Sequence, residues 1–425
     1  MRNAFITFYF TALNNKMLEL HNGFSFVYHL VDGDHFFITI NDDPHKIREM
    51  LKGYDTIYAS TSFHLETYYL RNLVDRRWIV GGPSVTTKAS LGYWQNLLGN
   101  AKIIHQPFEE MLNSPLSSRY TIYWNELIEK FSPKFVRMSA ICDKRCYWNK
   151  CNFCALKFNQ QSTPSERKIG RNVETVLKQL PDYEDKIVSC YIACNAVSPM
   201  ILNQVINSKY RKRNYVYHFQ ARFDREIKMI LENADDLHNF EFGVGLEFPS
   251  QQVIDKLNKG LELEVELEAL KIASKKGAKI QLFMLLNTPM ISDETFKEAC
   301  TSIDWMKDNL IFMDWEGRIF IDEFEHTKDE FFNDSPTNII QKYGGINLFY
   351  SPLVWKTKEN AEKFGDYIEE QASFGNTIYF SKLTDRQKEL SKQYWEKLLT
   401  LSNSYSSVPS SLSYSNKILS IPIDY

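Results

Sequence analysis

A run of four cysteines constrains the chemistry of this chain more tightly than any other feature. Within thirteen residues the sequence places Cys142, Cys146, Cys151 and Cys154. Thiolates this close in sequence readily share one ligand, and they are soft donors that select zinc or an iron–sulfur cluster. The sequence therefore predicts a metal centre at this run.

Disulfide bonds are the main alternative use of these cysteines. They would need an oxidising compartment. The opening residues, MRNAFITFYF, lack the apolar h-region and small-residue cleavage site of a secretory signal. No stretch reaches the ~18–20 uninterrupted apolar residues of a membrane span. We therefore expect a cytoplasmic protein with no membrane partner. The net charge of −3, with both signs interspersed, gives no reason to expect a nucleic-acid partner.

Zinc and iron–sulfur remain open as the metal. A structural zinc site normally takes four ligands, and Cys142 with Cys146 and Cys151 with Cys154 would supply two pairs. Only four residues separate the two pairs, which is short for a zinc-ribbon loop. This spacing favours an iron–sulfur cluster.

The pattern of apolar runs predicts an α/β fold with several parts. In residues 1–125, short strands alternate with amphipathic stretches, which indicates a Rossmann-like parallel sheet. Residues 126–314 contain at least five further β/α units, as in a partial or full (β/α) barrel. Residues 315–401 are predicted to form a small α/β region that closes the barrel and shapes the substrate entrance. Residues 402–425 are predicted to form a Ser-rich, disordered tail.

The predicted elements can be placed along the chain from these patterns. The strands are predicted at 4–10, 24–30, 35–40, 55–60, 78–80, 102–105, 134–140, 186–194, 215–222, 240–248 and 279–286. Residues 35–40 follow an Asp-Gly-Asp turn and are expected to pair in a hairpin. Helices are predicted at 44–51, 88–98, 171–180, 250–258, 264–276, 293–308 and 383–401.

Three segments together resemble the radical S-adenosylmethionine (SAM) superfamily. CYWNKCNFC (146–154) is a C-x4-C-x2-C variant of that family's usual C-x3-C-x2-C loop, and it follows the first barrel strand. FGVGLEFPSQQVIDKLNKG (242–260) resembles a strand–helix element that ends near Lys-Gly, and IQLFMLLNTPMISDET (280–295) resembles a later strand with a Pro-containing loop. The resemblance implies a barrel that carries a cluster on its first loop.

The resemblance also implies the cofactors. Three cysteines would hold a [4Fe–4S] cluster, and SAM would chelate the fourth iron, so one of the four cysteines is spare. We assign Cys146, Cys151 and Cys154 as the ligands and keep Cys142 as the alternative first ligand. An external electron donor of the flavodoxin or ferredoxin type would reduce the cluster. SAM cleavage would then give a 5′-deoxyadenosyl radical.

Further site residues follow from the same resemblance. Phe153 would lie against the adenine, Glu247 near the ribose or the substrate, and Arg222 toward the carboxylate of SAM or substrate. Cys194 lies on a strand and could donate a hydrogen atom to a substrate radical. The family's Gly-Gly-Glu segment is not recognisable, and its expected place is 193–196.

The N-terminal region resembles the cobalamin-binding domain that precedes many radical SAM barrels. DTIYASTSF followed by IVGGPSV carries this resemblance, and it implies that Gly81, Gly82 and Pro83 lie near a cobalamin. No D-x-H-x-x-G signature is present, so no histidine ligand to cobalt is implied. Glycines at the carboxyl ends of parallel strands allow a ligand to approach the backbone closely.

Three functions remain open on the sequence. The first is methylation of an unactivated carbon in a peptide, with cobalamin and SAM, and a small molecule is the alternative partner. The second is cobalamin-independent radical modification of a peptide, such as epimerisation, with a cysteine as hydrogen donor. The third lies outside the class and is a non-enzymatic iron–sulfur or zinc protein.

Overall fold

The computed structural model describes most of the chain, with gaps. The described residues are 2–12, 17–20, 32–39, 42–61, 64–82, 85, 95, 98–104, 125–143, 146–151, 173–183, 185–212, 214–285, 288, 290–310, 313–319, 347–348 and 384–405. The chain folds into two compact units, which comprise 1–143, 158–192 and 208–215, and 144–157, 193–207 and 216–425. Within the described residues, no helix combines the length and apolar character needed to cross a bilayer.

The first unit is built on a mainly parallel sheet. Its strands are β1 (Asn3–Ala12), β2 (Met17–Leu20), β3 (Asp34–Ile38), β4 (Thr56–Ser60), β5 (Trp78–Gly81), β6 (Lys102–Ile103) and β7 (Phe135–Asp143). Its helices are α1 (Pro44–Met50), α2 (His64–Leu70), α3 (Asn125–Phe131) and α4 (Val173–Gln179). The pairing order is β7-β2-β1-β4-β5-β6, and only the β1–β2 pair is antiparallel.

Strand β1 lies at the centre of this sheet. Its consecutive residues Ala4, Phe5 and Ile6 are all buried. Continuous burial along a strand is typical of parallel sheets that are covered on both faces. The predicted α/β class with a Rossmann-like N-terminal sheet is therefore confirmed in this unit.

Strand β3 pairs with the first half of β1. It runs parallel to β1, with Ala4 opposite Asp34 and Phe8 opposite Ile38. The first half of β1 therefore lies between β3 and β4. The hairpin expected for 35–40 would need an antiparallel partner such as 24–30, which lies outside the described residues, so that hairpin stays a prediction.

The second unit repeats the strand–helix pattern. Its strands are β9 (Tyr215–Ala221), β10 (Phe240–Glu247), β11 (Lys279–Leu285), β12 (Met313–Ile319) and β13 (Asn347–Leu348). Its helices are α5 (Pro199–Ile206), α6 (Arg225–Asn233), α7 (Gln251–Lys256), α8 (Leu263–Lys275), α9 (Asp293–Asn309) and α10 (Asp385–Tyr405). The order is β9-β10-β11-β12-β13, and every neighbouring pair is parallel. Strand β8 (Ile187–Ala196) contributes residues 187–192 to the first unit and 193–196 to the second.

Local sequence signals explain where several helices begin. The Asp224 carboxylate accepts from the Ile227 amide at 3.0 Å and caps α6. Ser292 and Thr295 form a reciprocal capping box at the start of α9. Helix α10 confirms the helical spacing predicted for 383–401, but it continues to Tyr405 and so enters the stretch predicted as a Ser-rich tail. The rest of that tail lies outside the described residues.

An aromatic stack on β9 and β10 forms the centre of the second unit's core. Phe219, Phe240 and Phe242 are each fully buried, and the ring of Phe219 stacks on the other two at 5.9 and 5.7 Å between centroids. Stacked rings in a core contribute beyond the area they bury.

Phe219→Ala should therefore destabilise the protein strongly. Truncating a buried Phe typically costs about 3–5 kcal/mol, since it removes apolar contacts and leaves a cavity. The midpoint of urea-induced unfolding, followed by circular dichroism, measures this loss. Met229→Ala is the matched control, because Met229 is 61% exposed on α6 and its truncation should shift the midpoint little. Equal shifts in the two variants would contradict the assignment of this stack to the core.

Candidate functional site

Two candidate side chains lie where neighbouring parallel strands end. Arg222 directly follows β9, and Glu247 is the last residue of β10. The register shifts between Gly245 and Glu247, and Glu247 adopts a left-handed φ of 64°. A non-glycine residue in this conformation is uncommon and is enriched at functional sites. The bulge re-aims the Glu247 side chain at the strand end.

The cysteine loop is tied to the turn that follows α7. The indole Nε1 of Trp148 donates to the carbonyl of Asn258 at 3.0 Å, and the Asn258 side-chain amide donates to the carbonyl of Lys150 at 2.8 Å. Both bonds join residues more than 100 positions apart in the sequence. Cys146 and Cys151, which bracket this segment, are half-buried.

Arg222 contacts the aromatic residues of the same loop. Its guanidinium carbon lies 4.6 Å from the ring centroid of Trp148 and 5.6 Å from that of Tyr147. The Tyr147 hydroxyl donates to the carboxylate of Asp224, which also caps α6. Tyr147 is 37% exposed, so only part of the side chain is buried, and this partial burial together with the hydrogen bond raises its pKa above the usual range. Tyr147 therefore stays protonated and serves as a donor.

Two buried cations in this region have unused hydrogen-bond donors. Lys259 is 2% exposed, and its Nζ lies 3.7 Å from Oε1 of Glu247. Among the described residues, Lys259 Nζ and the Nε and Nη1 atoms of Arg222 have no hydrogen-bond partner. Burying a cation without partners is costly. The pair is therefore suited to bind an anionic group of a ligand.

The thiol of Cys151 lies in the field of these charges. Burial raises its pKa, the cations Lys259 and Arg222 oppose this rise, and Glu247 and Cys146 add to it. A thiol binds metal as the thiolate, and nearby cations favour that form. The arrangement thus brings Cys146, Cys151, Arg222 and Glu247, all predicted from the sequence, into one region of the second unit.

The other predicted residues are distributed differently. Cys142 is 1% exposed on β7 in the first unit. Burial raises the pKa of the neighbouring Cys190 thiol, and Cys142 adds to this rise. Cys154, Phe153 and Pro83 lie outside the described residues, and so does the side chain of Cys194. Within the described part of the chain, no three His, Cys, Asp or Glu side chains are grouped to hold a metal ion.

Gly81 and Gly82 lie at the carboxyl end of β5, as predicted. The Thr61 amide donates to the Gly81 carbonyl at 2.9 Å, and Gly82 has a φ of 107°. A Cβ on Gly82 would lie 2.7 Å from the Thr61 nitrogen. Close packing against the backbone of Thr61 therefore explains glycine at this position.

Sequence reasoning missed Lys259, Trp148 and Glu266. Lys259 had a signal, because it belongs to the Lys-Gly pair at which the α7 element ends. Trp148 lies inside the cysteine loop, but nothing local indicates its partner. Glu266 lies on α8 among residues that look like an ordinary amphipathic helix.

Glu266 is a fully buried acid beside this charge cluster. Its two carboxylate oxygens have no hydrogen-bond partner among the described residues. Burial raises the pKa of Glu266 to about 7, Lys259 and Arg222 lower it, and Glu247 and Asp224 raise it further.

This shift predicts a pH-dependent stability. Because the folded-state pKa of Glu266 exceeds its ordinary value of 4.5, the folded state binds more protons between these two values. The free energy of unfolding should therefore fall as pH rises from about 4.5 to 7, by on the order of 3 kcal/mol. Glu266→Gln keeps the volume and removes the titration. Urea midpoints of both proteins at pH 5 and pH 8 measure the difference, and parallel pH dependences would refute the prediction.

No family model matches the chain, and no curated protein sequence matches it. Solved structures do match. The cobalamin-dependent S-adenosylmethionine radical enzyme OxsB, with aqua-cobalamin and S-adenosylmethionine bound, is 13% identical with a TM-score of 0.58, and the match covers 99% of this chain and 72% of that one.

A second matching protein is the radical S-adenosylmethionine methyltransferase TsrM from Kitasatospora setae. Its structure with tryptophan substrate and a SAM analog is 10% identical with a TM-score of 0.56, and the match covers 94% of this chain and 89% of TsrM. Its structure with cobalamin and a [4Fe–4S] cluster bound has a TM-score of 0.51 at 10% identity, over 75% of this chain and 74% of TsrM. The chain therefore has the fold of these radical SAM enzymes, as the resemblance in its motifs predicted.

Proposed function

We propose that this protein is a radical SAM enzyme in which Cys146, Cys151 and Cys154 hold a [4Fe–4S] cluster. The observation that carries the proposal is the meeting of the cysteine loop with Lys259 and Arg222, two buried cations with unused donors. A loop that held only a structural metal would not need these cations. The overall fold, shared with OxsB and TsrM, supports the same conclusion.

The charged residues would hold SAM beside the loop. Lys259 and Arg222 can each donate to its carboxylate, while Glu247 can accept from its amino group or from a ribose hydroxyl. Phe153 is proposed to lie against the adenine. When reduced, the bound cluster supplies the electron that cleaves the sulfonium carbon–sulfur bond of SAM, which gives methionine and a 5′-deoxyadenosyl radical.

The spare cysteine of the run is proposed to be Cys142. It lies on β7, where it is buried in the core of the first unit close enough to Cys190 to affect the pKa of that thiol. Cys146, by contrast, lies in the same loop as Cys151 and adds to the rise of the Cys151 pKa that burial causes. A fourth protein ligand would also close the iron that must stay open to SAM.

The N-terminal unit is proposed to bind cobalamin near Gly81, Gly82 and Pro83. Gly81 and Gly82 lie at the carboxyl end of a strand in a parallel sheet, which is the edge where such sheets bind ligands. Bound cobalamin would supply a methyl group for transfer to an unactivated carbon. The proposed substrate is a peptide or a small molecule, and a flavodoxin- or ferredoxin-type protein would supply electrons.

The cobalamin-independent alternative depends on Cys194 as hydrogen donor. The side chain of Cys194 lies outside the described residues, and that alternative stays a prediction. The non-enzymatic alternative, an iron–sulfur or zinc protein, offers no role for the unused donors of Lys259 and Arg222.

Anaerobic reconstitution tests the proposal. The protein should take up four irons and four sulfides per chain, as the [4Fe–4S] assignment requires, and with dithionite it should convert SAM to 5′-deoxyadenosine. Added hydroxocobalamin should remain bound through gel filtration and be visible in the absorption spectrum. An intact cluster that does not cleave SAM would overturn the radical SAM assignment. A protein that cleaves SAM but takes up no cobalamin would overturn only the methylation.

Two cysteine variants serve as a matched pair in the same experiment. Cys146→Ala should abolish cluster assembly, since it removes a ligand, whereas Cys142→Ala should assemble the cluster normally. The reverse result would show that Cys142 is the first ligand.

Lys259→Met should weaken SAM binding. Losing a charged hydrogen bond to a buried carboxylate typically costs about 1.5–3 kcal/mol, so KM for SAM should rise roughly ten- to hundredfold. The initial rate of 5′-deoxyadenosine formation against SAM concentration measures this change. Lys256→Met is the control, because Lys256 is an exposed lysine at the end of α7. A normal KM in Lys259→Met would rule out its role in holding SAM.

A further inference from the structure

The cysteine loop and the turn after α7 fit each other closely. Gly260 has a left-handed φ of 60°, and a Cβ there would overlap Cζ2 and Cη2 of the Trp148 ring and lie 2.9 Å from its Cε2. The same ring is anchored through Nε1 to the Asn258 carbonyl, two residues earlier. Any residue larger than glycine at position 260 would therefore displace the indole.

The loop itself needs such an anchor. It has four residues between Cys146 and Cys151, one more than the C-x3-C spacing that it resembles. Asn149 in its middle is left-handed, with a φ of 49°, and Asn258 opposite it has a φ of 51°. Asparagine adopts this conformation more readily than most other side chains, so the sequence suits both turns. The Asn258–Lys150 bond and the Trp148 ring are the described contacts that join the loop to the turn.

We propose that Trp148 and Gly260 are a matched pair of positioning residues, which set where the Cys146 and Cys151 thiols stand relative to Arg222 and Lys259. This inference rests on the proposed function. Trp148 belongs to the cysteine loop, and its ring also contacts the Arg222 guanidinium at 4.6 Å, so it links the thiols to this cation. Gly260 is linked to both cations, because its carbonyl accepts from Arg222 Nη2 at 3.5 Å and it directly follows Lys259 in the chain.

Ordinary core packing does not account for this pair. Trp148 is only half-buried, whereas the large aromatic side chains of the core, such as Trp78 and Phe219, are 2% exposed or less. The ring of Trp148 instead lies among polar groups, with the Lys150 ammonium 4.8 Å from its centroid. We therefore infer that Trp148 and Gly260 fix the position of the cysteine loop and add little to the apolar core.

Gly260→Ala tests the proposal, and Gly277→Ala is the matched control. Gly277 is also left-handed, with a φ of 87°, and a Cβ there would lie 2.7 Å from the His238 ring, away from the cysteine loop. Both variants place a Cβ on a left-handed glycine and against a ring, and the overlap is deeper at Gly260, where the Cβ would lie closer to Cζ2 of Trp148 than the 2.7 Å found at Gly277. In the apo-protein, the alkylation rates of Cys146 and Cys151 by iodoacetamide are measured by peptide mapping. In the reconstituted protein, the iron content and the electron paramagnetic resonance spectrum of the reduced cluster are recorded.

We expect Gly260→Ala to raise the alkylation rates of Cys146 and Cys151 several-fold and to lower the iron content or change the spectrum of the cluster. Gly277→Ala should leave the alkylation rates, the iron content and the spectrum at wild-type values. Trp148→Phe provides the rescue, since it lacks the distal ring atoms that the added methyl would meet. The double variant Gly260→Ala/Trp148→Phe should recover alkylation rates and cluster spectrum close to those of Trp148→Phe alone.

Two results would overturn the pairing. One is a Gly260→Ala protein whose alkylation rates and cluster spectrum match wild type. The other is a double variant that is at least as impaired as the two single changes combined. The proposed function fails separately, if the wild-type protein assembles no cluster, and in that case the pair loses its role as well.

Discussion

The parallel pairing of β9 and β10 is the constraint on which the candidate site depends. Parallel strands end at the same edge of a sheet, so Arg222 after β9 and Glu247 at the end of β10 lie near each other. The chain then leaves β10 through α7 and returns at Lys259, whose ammonium faces Glu247. The cysteine loop docks on this same turn through Trp148. A different β9–β10 register would separate Arg222 from Glu247 and from Lys259 beside it.

The cluster of buried charges lowers the stability of the folded protein. Lys259, Arg222, Glu247 and Glu266 are all at most 7% exposed. Among the described residues, Lys259, Arg222 and Glu266 have polar atoms with no hydrogen-bond partner. Buried charges with unused donors or acceptors destabilise a protein, and apolar residues of similar size would stabilise it more. The backbone adds further strain at Glu247, which is left-handed without being glycine. Such costs are concentrated at sites that bind ligands, where the ligand supplies the missing partners.

Much of the architecture follows from patterns that are local in the sequence. The helix predicted at 293–308 is observed as Asp293–Asn309, and the strand predicted at 240–248 is observed as Phe240–Glu247. Apolar periodicity and capping residues act within a few positions, so they can be read without the fold. The pairing partner of β3 could not be read in this way, because a strand carries the same alternation whether its neighbour is parallel or antiparallel.

The α/β class, the cysteine loop and the candidates Arg222 and Glu247 could all be named from the sequence, because each belongs to a motif that is local in the chain. The tertiary structure was needed to show that Lys259 lies beside Glu247, that Cys142 and Cys146 belong to different units, and that a side chain at Gly260 would collide with Trp148. All three depend on how separate segments of the chain pack together. The bond from Trp148 to Asn258 joins residues 110 positions apart, and no local pattern specifies which side chains two such distant segments will bring into contact.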